Sequence, residues 1–145
     1  MLHSVFGDND AENIIRLIAS QINHGKEFFE GEKLFEFAML NMKAGKKALD
    51  GCDHKTAYWY LFTALSLLPL DHWESHYDFS LRLHSLLADA ANSSCQYEEA
   101  QLILQMTLGK ARCLEDKLPS YLLQSQSECS LSLLIFRRLY LSFSD

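Results

Sequence analysis

Proline and glycine are scarce in this chain, with two prolines and six glycines among 145 residues. So few helix breakers argue against a protein of short strands and tight turns and favour long helices. Positive charge is also in the minority: 13 lysines and arginines against 19 acidic residues leave a formal net charge of −6. That balance argues against a general nucleic-acid or anionic-membrane binder, because both need a basic field. The longest apolar run, Leu131 to Phe143, is interrupted by Arg137 and Arg138 and falls short of the roughly 20 residues a spanning helix requires. Four cysteines are widely separated, at Cys52, Cys95, Cys113 and Cys129, and none forms a C-x-x-C pair. With Met1 to Gly7 followed at once by Asp8 and Asp10, no signal peptide is expected. The expectation is a soluble, cytoplasmic protein with reduced thiols.

What is present is a series of helical stripes. Asp10 suits an N-cap for a helix over Ala11 to Asn23, with Ile14, Ile15, Ile18 and Ile22 on one side and Gly25 beyond its end. Lys26 to Glu32 reads as a connector. A second helix is expected from about Glu32 to Leu49, and a third, apolar nearly all round, from about His54 to Leu68, where Pro69 stops it. Asp71 with Glu74 three residues on resembles a capping box opening a fourth helix over about Trp73 to Asn92. A fifth is expected over about Gln96 to Leu114. Pro119 suits the first turn of a sixth, but the pattern fades in the polar stretch Gln124 to Ser130.

The chain also repeats itself at an offset of 43 residues. Ala57 matches Ala100, Leu61 matches Leu104, Ala48 matches Ala91, Gly45 matches Ala88 and Cys52 matches Cys95; Ala64 matches Thr107. Small residues at these points permit two helices to approach closely where they cross, while Leu61 and Leu104 fill the space beside the crossing. Pro69, five residues after Ala64, stands where such a hairpin ends, whereas the second unit carries Arg112 there. The expected fold is therefore all-α, with tetratricopeptide-like antiparallel hairpins stacked as a short right-handed solenoid. An ordinary helical bundle would show the same apolar stripes. The expected organisation is an N-terminal helix and connector over 1–31, a helical-repeat region over 32–130 and an atypical tail over 131–145.

The segments LNMKAGKKAL (Leu40 to Leu49), AYWYLFTALSLLPLDHWESHYDFSLRLH (Ala57 to His84) and ARCLEDK (Ala111 to Lys117) carry a family resemblance. They resemble the helical region that follows the ATPase module in the predicted-ATPase multi-sensor kinases, large signalling proteins that combine a kinase-like domain, a STAND or AAA-type ATPase and sensor modules. The likeness spans roughly Ile14 to Lys117, and its most specific piece is Leu-Leu-Pro followed by an acidic residue, Trp73 and Tyr77. It implies an arm that binds or positions kinase, ATPase or sensor modules, of the same or a partner chain. No G-x-x-x-x-G-K-[ST] phosphate loop, kinase H-R-D or D-F-G, or G-x-S-x-G elbow occurs here. No catalytic residue and no cofactor is therefore expected.

Among side chains that bear chemistry, His72 and His76 form an i, i+4 pair with His84 two turns on, a candidate metal set. Glu74 is misplaced for the zinc-protease motif, and the simpler expectation is two exposed histidines and a hydrogen-bonded inner one. Trp59, Tyr60, Trp73 and Tyr77 are candidates to line a peptide groove, although aromatics at helical spacing are more often core. Cys52 and Cys95 occupy matching turn positions, and Glu27, Glu30, Glu32 and Glu36 form a solvated acidic face or attract a basic partner. Three functions remain in view: a non-enzymatic protein-interaction segment, a free-standing adaptor, and a metal-dependent helical protein. Two hairpins alone leave an apolar end exposed, so self-association is expected.

Overall fold

The computed structural model describes Gln21 and residues 30–142. The expected helix over Ala11 to Asn23, and Glu27 of the acidic set, lie outside the described residues apart from the helical Gln21. Residues 30–142 form six helices and no strand: α1 (Gly31–Asp50), α2 (His54–Ser66), α3 (His72–Ser75), α4 (Tyr77–Ser93), α5 (Tyr97–Lys110) and α6 (Leu114–Ser142). The chain divides into two compact units, Met1–Leu70 and Asp71–Asp145.

In the first unit α1 and α2 pair as a hairpin. α1 buries Ala38, Asn41, Gly45 and Ala48, a 3-4-3 spacing that makes one narrow stripe of small side chains. α2 answers with Ala57, Tyr60, Leu61, Thr63 and Ala64. The helices press close together at Gly45. A Cβ there would lie 2.6 Å from Leu61 Cγ and 3.3 Å from the Ala57 carbonyl oxygen. Asp53 caps α2 by accepting the Thr56 amide at 3.2 Å, and the helix closes just ahead of Pro69, which disfavours helical geometry in the residue before it.

In the second unit α4 and α5 form another hairpin, with α6 against both and α3 against α4. The interior is built from Leu83, Leu87, Ala88, Ala90 and Ala91 of α4 and Ala100, Leu104 and Thr107 of α5. The two hairpin turns follow the same backbone course. Gly51 and Ser94 share φ −87° and ψ 7°. Cys52 and Cys95 then enter the left-handed region at φ 60° and 62°. The bonds also correspond: Gly51 N–H to Lys47 and Ser94 N–H to Ala90; Cys52 N–H to Leu49 and Cys95 N–H to Asn92; Asp53 N–H to Ala48 and Gln96 N–H to Ala91. Each member of these pairs lies 43 residues from its counterpart.

Two expectations need adjustment. The helix expected over about Trp73 to Asn92 is interrupted at His76, whose φ of −135° and ψ of 51° leave the helical region. Asp71 makes no side-chain cap, so the Asp71–Glu74 pair is not a capping box; backbone bonds from Glu74 and Ser75 to the Asp71 carbonyl close the turn instead. The second adjustment concerns 114–142, where the pattern fades in sequence but one helix of 29 residues forms and runs into the tail. Its polar stretch, Gln124 to Ser130, contains no glycine or proline. Ser125 and Ser130 return their hydroxyls to the carbonyls of Leu122 and Gln126, and Ser127 is buried, donating to Asn92 Oδ1 at 2.6 Å. The apolar stripe fades because α6 faces α4 and α5 with serines.

Candidate functional site

The richest grouping of polar and aromatic side chains gathers in the second unit around the break between α3 and α4. His72, on the single turn of α3, directs Nδ1 to Ser80 Oγ at 2.7 Å, and the Ser80 hydroxyl lies 3.0 Å from the His72 carbonyl oxygen. A hydroxyl has one proton, so if Ser80 donates to the carbonyl, His72 Nδ1 carries the hydrogen and donates to Ser80. One turn further along α4, His84 Nδ1 lies 2.8 Å from the Ser80 carbonyl oxygen and must donate to it. Both imidazoles then carry hydrogen on Nδ1 and leave a lone pair on Nε2.

The rings of His72 and His84 stack at 5.6 Å and 13°, and the Trp73 indole lies 4.6 Å from the His84 ring. His84 is 1% exposed, and its Nε2 has no hydrogen-bond partner. Burial pushes the His84 pKa below the ordinary histidine value, against a smaller upward pull from the Ser80 carbonyl. His72 is also lowered, first by burial and then by the positive charge of Lys110. Both shifts favour the neutral form of the ring.

Beside them, Tyr77 links α4 to the residues around the start of α6. Its hydroxyl donates to Asp116 Oδ2 at 2.7 Å and accepts the Arg112 backbone N–H at 2.8 Å. The Arg112 guanidinium lies 4.1 Å above the Tyr77 ring and reaches the Trp73 carbonyl at 3.5 Å. Burial and the Asp116 carboxylate raise the Tyr77 pKa, while the Tyr77 hydroxyl and the Cys113 thiol hold Asp116 below its ordinary value.

Ser80 beside His72 has the composition of a nucleophile and base, yet its wiring differs. The residue is fully buried, and where its hydroxyl donates to the His72 carbonyl, the bond from His72 Nδ1 runs toward Ser80 rather than taking its proton. The arrangement fixes the α3–α4 break. Of the candidate metal set, His72 and His84 are parallel and stacked, while His76 sits at the break itself. Among the described residues no three histidine, cysteine or acidic side chains gather to hold a metal.

The remaining sequence candidates divide between the two units. Gly45, Ala48, Ala57, Leu61 and Ala64 line the first hairpin and Ala88, Ala91, Ala100 and Leu104 the second, while Pro69 follows α2. Tyr60 is buried, whereas Trp59 and Phe62 are 38% and 54% exposed. Trp73 and Tyr77 are half-buried in the histidine cluster. Sequence reading did not connect Ser80, Arg112 and Asp116 with this cluster; the last two lie 35 and 39 residues beyond Tyr77. Ser80 offers a local signal in its Ser-x-x-x-His spacing ahead of His84. No helix among the described residues is long and apolar enough to cross a membrane. Comparison with known proteins finds no matching family model, no matching curated protein and no matching solved structure.

Proposed function

We propose that this chain is a non-catalytic helical-repeat segment that binds or positions other protein modules in the cytoplasm. It resembles the arm after the ATPase module of large signalling ATPase-kinases, and its expected partners are kinase, ATPase or sensor modules. The observation that carries this reading is the recurrence of one turn. The same three backbone hydrogen bonds and the same left-handed cysteine return after 43 residues, with buried Ala88 and Ala91 at the places of Gly45 and Ala48. Equivalent units built this way are suited to tetratricopeptide-like stacking, which presents surface for partners. The exposed aromatics Trp59 and Phe62 on α2 are the anchors we assign to the first unit, since aromatic side chains dominate binding energy when a partner covers them.

Affinity capture from the source cells with the wild-type chain and with the Trp59→Ala, Phe62→Ala double variant tests the proposal. The wild type retains a signalling kinase, ATPase or sensor protein that the variant loses, with the helical circular-dichroism spectrum unchanged. Titration with ATP and magnesium in a calorimeter gives no saturable heat. Saturable nucleotide binding, or capture indifferent to the two aromatics, overturns the reading.

A further inference from the structure

The last part of α6 carries the most exposed apolar surface in the second unit. Ser120 and Ser127 are buried against the unit and Leu131 is half-buried, but every described side chain from Ser132 to Leu141 is exposed. Eleven residues separate Leu131 from the end of α6, about 16 Å of helix at 1.5 Å per residue. Leu133, Leu134, Ile135 and Phe136 are 70%, 48%, 60% and 70% exposed, and Leu139 and Leu141 follow. Four successive positions cover the whole circumference of a helix. A helix apolar all round belongs inside a larger assembly.

Two features of the same chain suggest what covers it. The charges in this segment are both basic, Arg137 and Arg138. At its base, Leu131 lines a cavity of about 340 Å³ together with Cys95 and the acidic pair Glu98 and Glu99 at the start of α5. Arg137 stands six residues past Leu131. Two such helices laid antiparallel with Leu134 at the two-fold axis place Arg137 of one copy opposite Leu131 of the other. The arginines of each copy then meet the glutamates of its mate, and Leu134 packs on the Leu134 of its mate, flanked by Leu133 and Ile135.

We propose that the 131–142 segment of α6 is a homodimerisation element, and that a second copy of this chain is its occupant. The proposal deepens the reading of the chain as an interaction segment by naming one partner, and it concerns a surface separate from Trp59 and Phe62. Self-complementarity favours the second copy, because one patch supplies both the apolar surface and the two opposite charges, as a two-fold interface requires. With a net charge of −6 on each copy, the local arginine–glutamate match offsets general repulsion and sets the register. Two arginines fall short of the basic cluster that an anionic bilayer surface selects.

Sedimentation equilibrium of the full chain over roughly 1 to 100 µM, the weak end of the affinity range for modest interfaces, tests the proposal. The expected mass is twice 16.6 kDa. Leu134→Asp with Ile135→Asp weakens association by about 100-fold or more, as loss of central apolar anchors does. Arg137→Glu with Arg138→Glu weakens it by about tenfold, and adding Glu98→Lys and Glu99→Lys recovers most of that loss. With the four native cysteines replaced by serine, Leu134→Cys yields a disulfide-linked dimer under mild oxidation and Leu141→Cys does not. A chain that stays monomeric throughout overturns the proposal, and one that instead sediments with phosphatidylcholine–phosphatidylglycerol vesicles assigns the segment to a lipid surface. A dimer indifferent to the α6 substitutions, or charge reversals that do not restore one another, also overturns it. None of these readings depends on Trp59 or Phe62, so failure here leaves the test of the protein-module reading standing.

Discussion

Asn41 on α1 and His84 on α4 lie 43 residues apart and make the same bond. Each donates a side-chain nitrogen to the carbonyl four residues back, Asn41 Nδ2 to Phe37 at 2.9 Å and His84 Nδ1 to Ser80 at 2.8 Å. Each is almost fully buried, and each leaves one polar atom without a hydrogen-bond partner, Asn41 Oδ1 and His84 Nε2. The position calls for a donor aimed back along its own helix. Only the histidine adds a titratable group.

The pH dependence of stability follows from that difference. Burial holds the His84 pKa below its unfolded value near 6.5, so between the two values the unfolded chain binds a proton that the folded chain does not. Stability is therefore insensitive to this group above about pH 6.5 and falls as pH drops below it, by up to about 1.4 kcal/mol per pH unit, until the folded-state pKa is reached. His72, lowered by burial and by Lys110, adds a slope of the same sign. Replacing His84 with asparagine supplies the residue that unit one uses at this place. Urea melts at pH 7.5 and 5.5 should show a smaller loss of stability on acidification in His84→Asn; an unchanged slope assigns it elsewhere.

Glycine to alanine gives opposite results at two helical positions. At Gly109, near the end of α5, an added Cβ meets nothing within 4 Å. Gly109→Ala should stabilise the chain by about 0.5–1 kcal/mol through helix propensity alone. At Gly45 the same methyl collides with the Leu61 side chain and approaches the Ala57 carbonyl, so Leu61 or the helix itself must shift. Gly45→Ala should destabilise by about 1–3 kcal/mol despite the better propensity. Chemical denaturation of both variants checks the pair, and equal signs would contradict the close approach of α1 and α2.

How far the sequence foretold this structure depended on whether a signal was local. The small-residue stripe of α1, the stop at Pro69 and the paired turns were legible because side chains a few residues apart determine them. The break at His76 was not, since it is stabilised by a bond between His72 and Ser80 across eight residues and the stretch otherwise reads as continuous helix. α6 was obscured for a different reason. Its buried face uses Ser120 and Ser127 where an apolar stripe would be sought. The candidate site was half visible: its histidines and Trp73 stood out by type, but Arg112 and Asp116 reach Tyr77 only through the packing of the second unit.

Tyr77 provides a test of that packing. Tyr77→Phe keeps the ring beneath Arg112 but removes the hydroxyl that donates to Asp116 and accepts the Arg112 amide. The folded-state pKa of Asp116 is depressed first by this hydroxyl, so its contribution is present above the unfolded carboxylate value and is lost as pH falls through and below it. In Tyr77→Phe the Asp116 carboxyl should titrate closer to its ordinary value by carbon-detected NMR. An unmoved Asp116 would mean that the bond is absent in solution.

The left-handed cysteines give the last prediction. Cys52 and Cys95 stand at φ 60° and 62°, a region that brings a Cβ too close to its own carbonyl and costs an ordinary residue about 1–2 kcal/mol. Glycine adopts it freely but loses more backbone entropy on folding, which offsets part of the gain. Both thiols are exposed and neither forms a disulfide, so little packing is lost with the side chain, and Cys95 gives up only a long 3.6 Å bond from the Tyr97 hydroxyl. Cys52→Gly and Cys95→Gly should each stabilise the chain by about 0.5–1 kcal/mol. Because the two turns share their φ, ψ and hydrogen bonds, the two gains should be similar in size and should add in the double variant. A gain at one turn with a loss at the other, measured by urea denaturation under reducing conditions, would show that the turns are not equivalent in solution and would remove the main support for reading the two hairpins as copies of one unit.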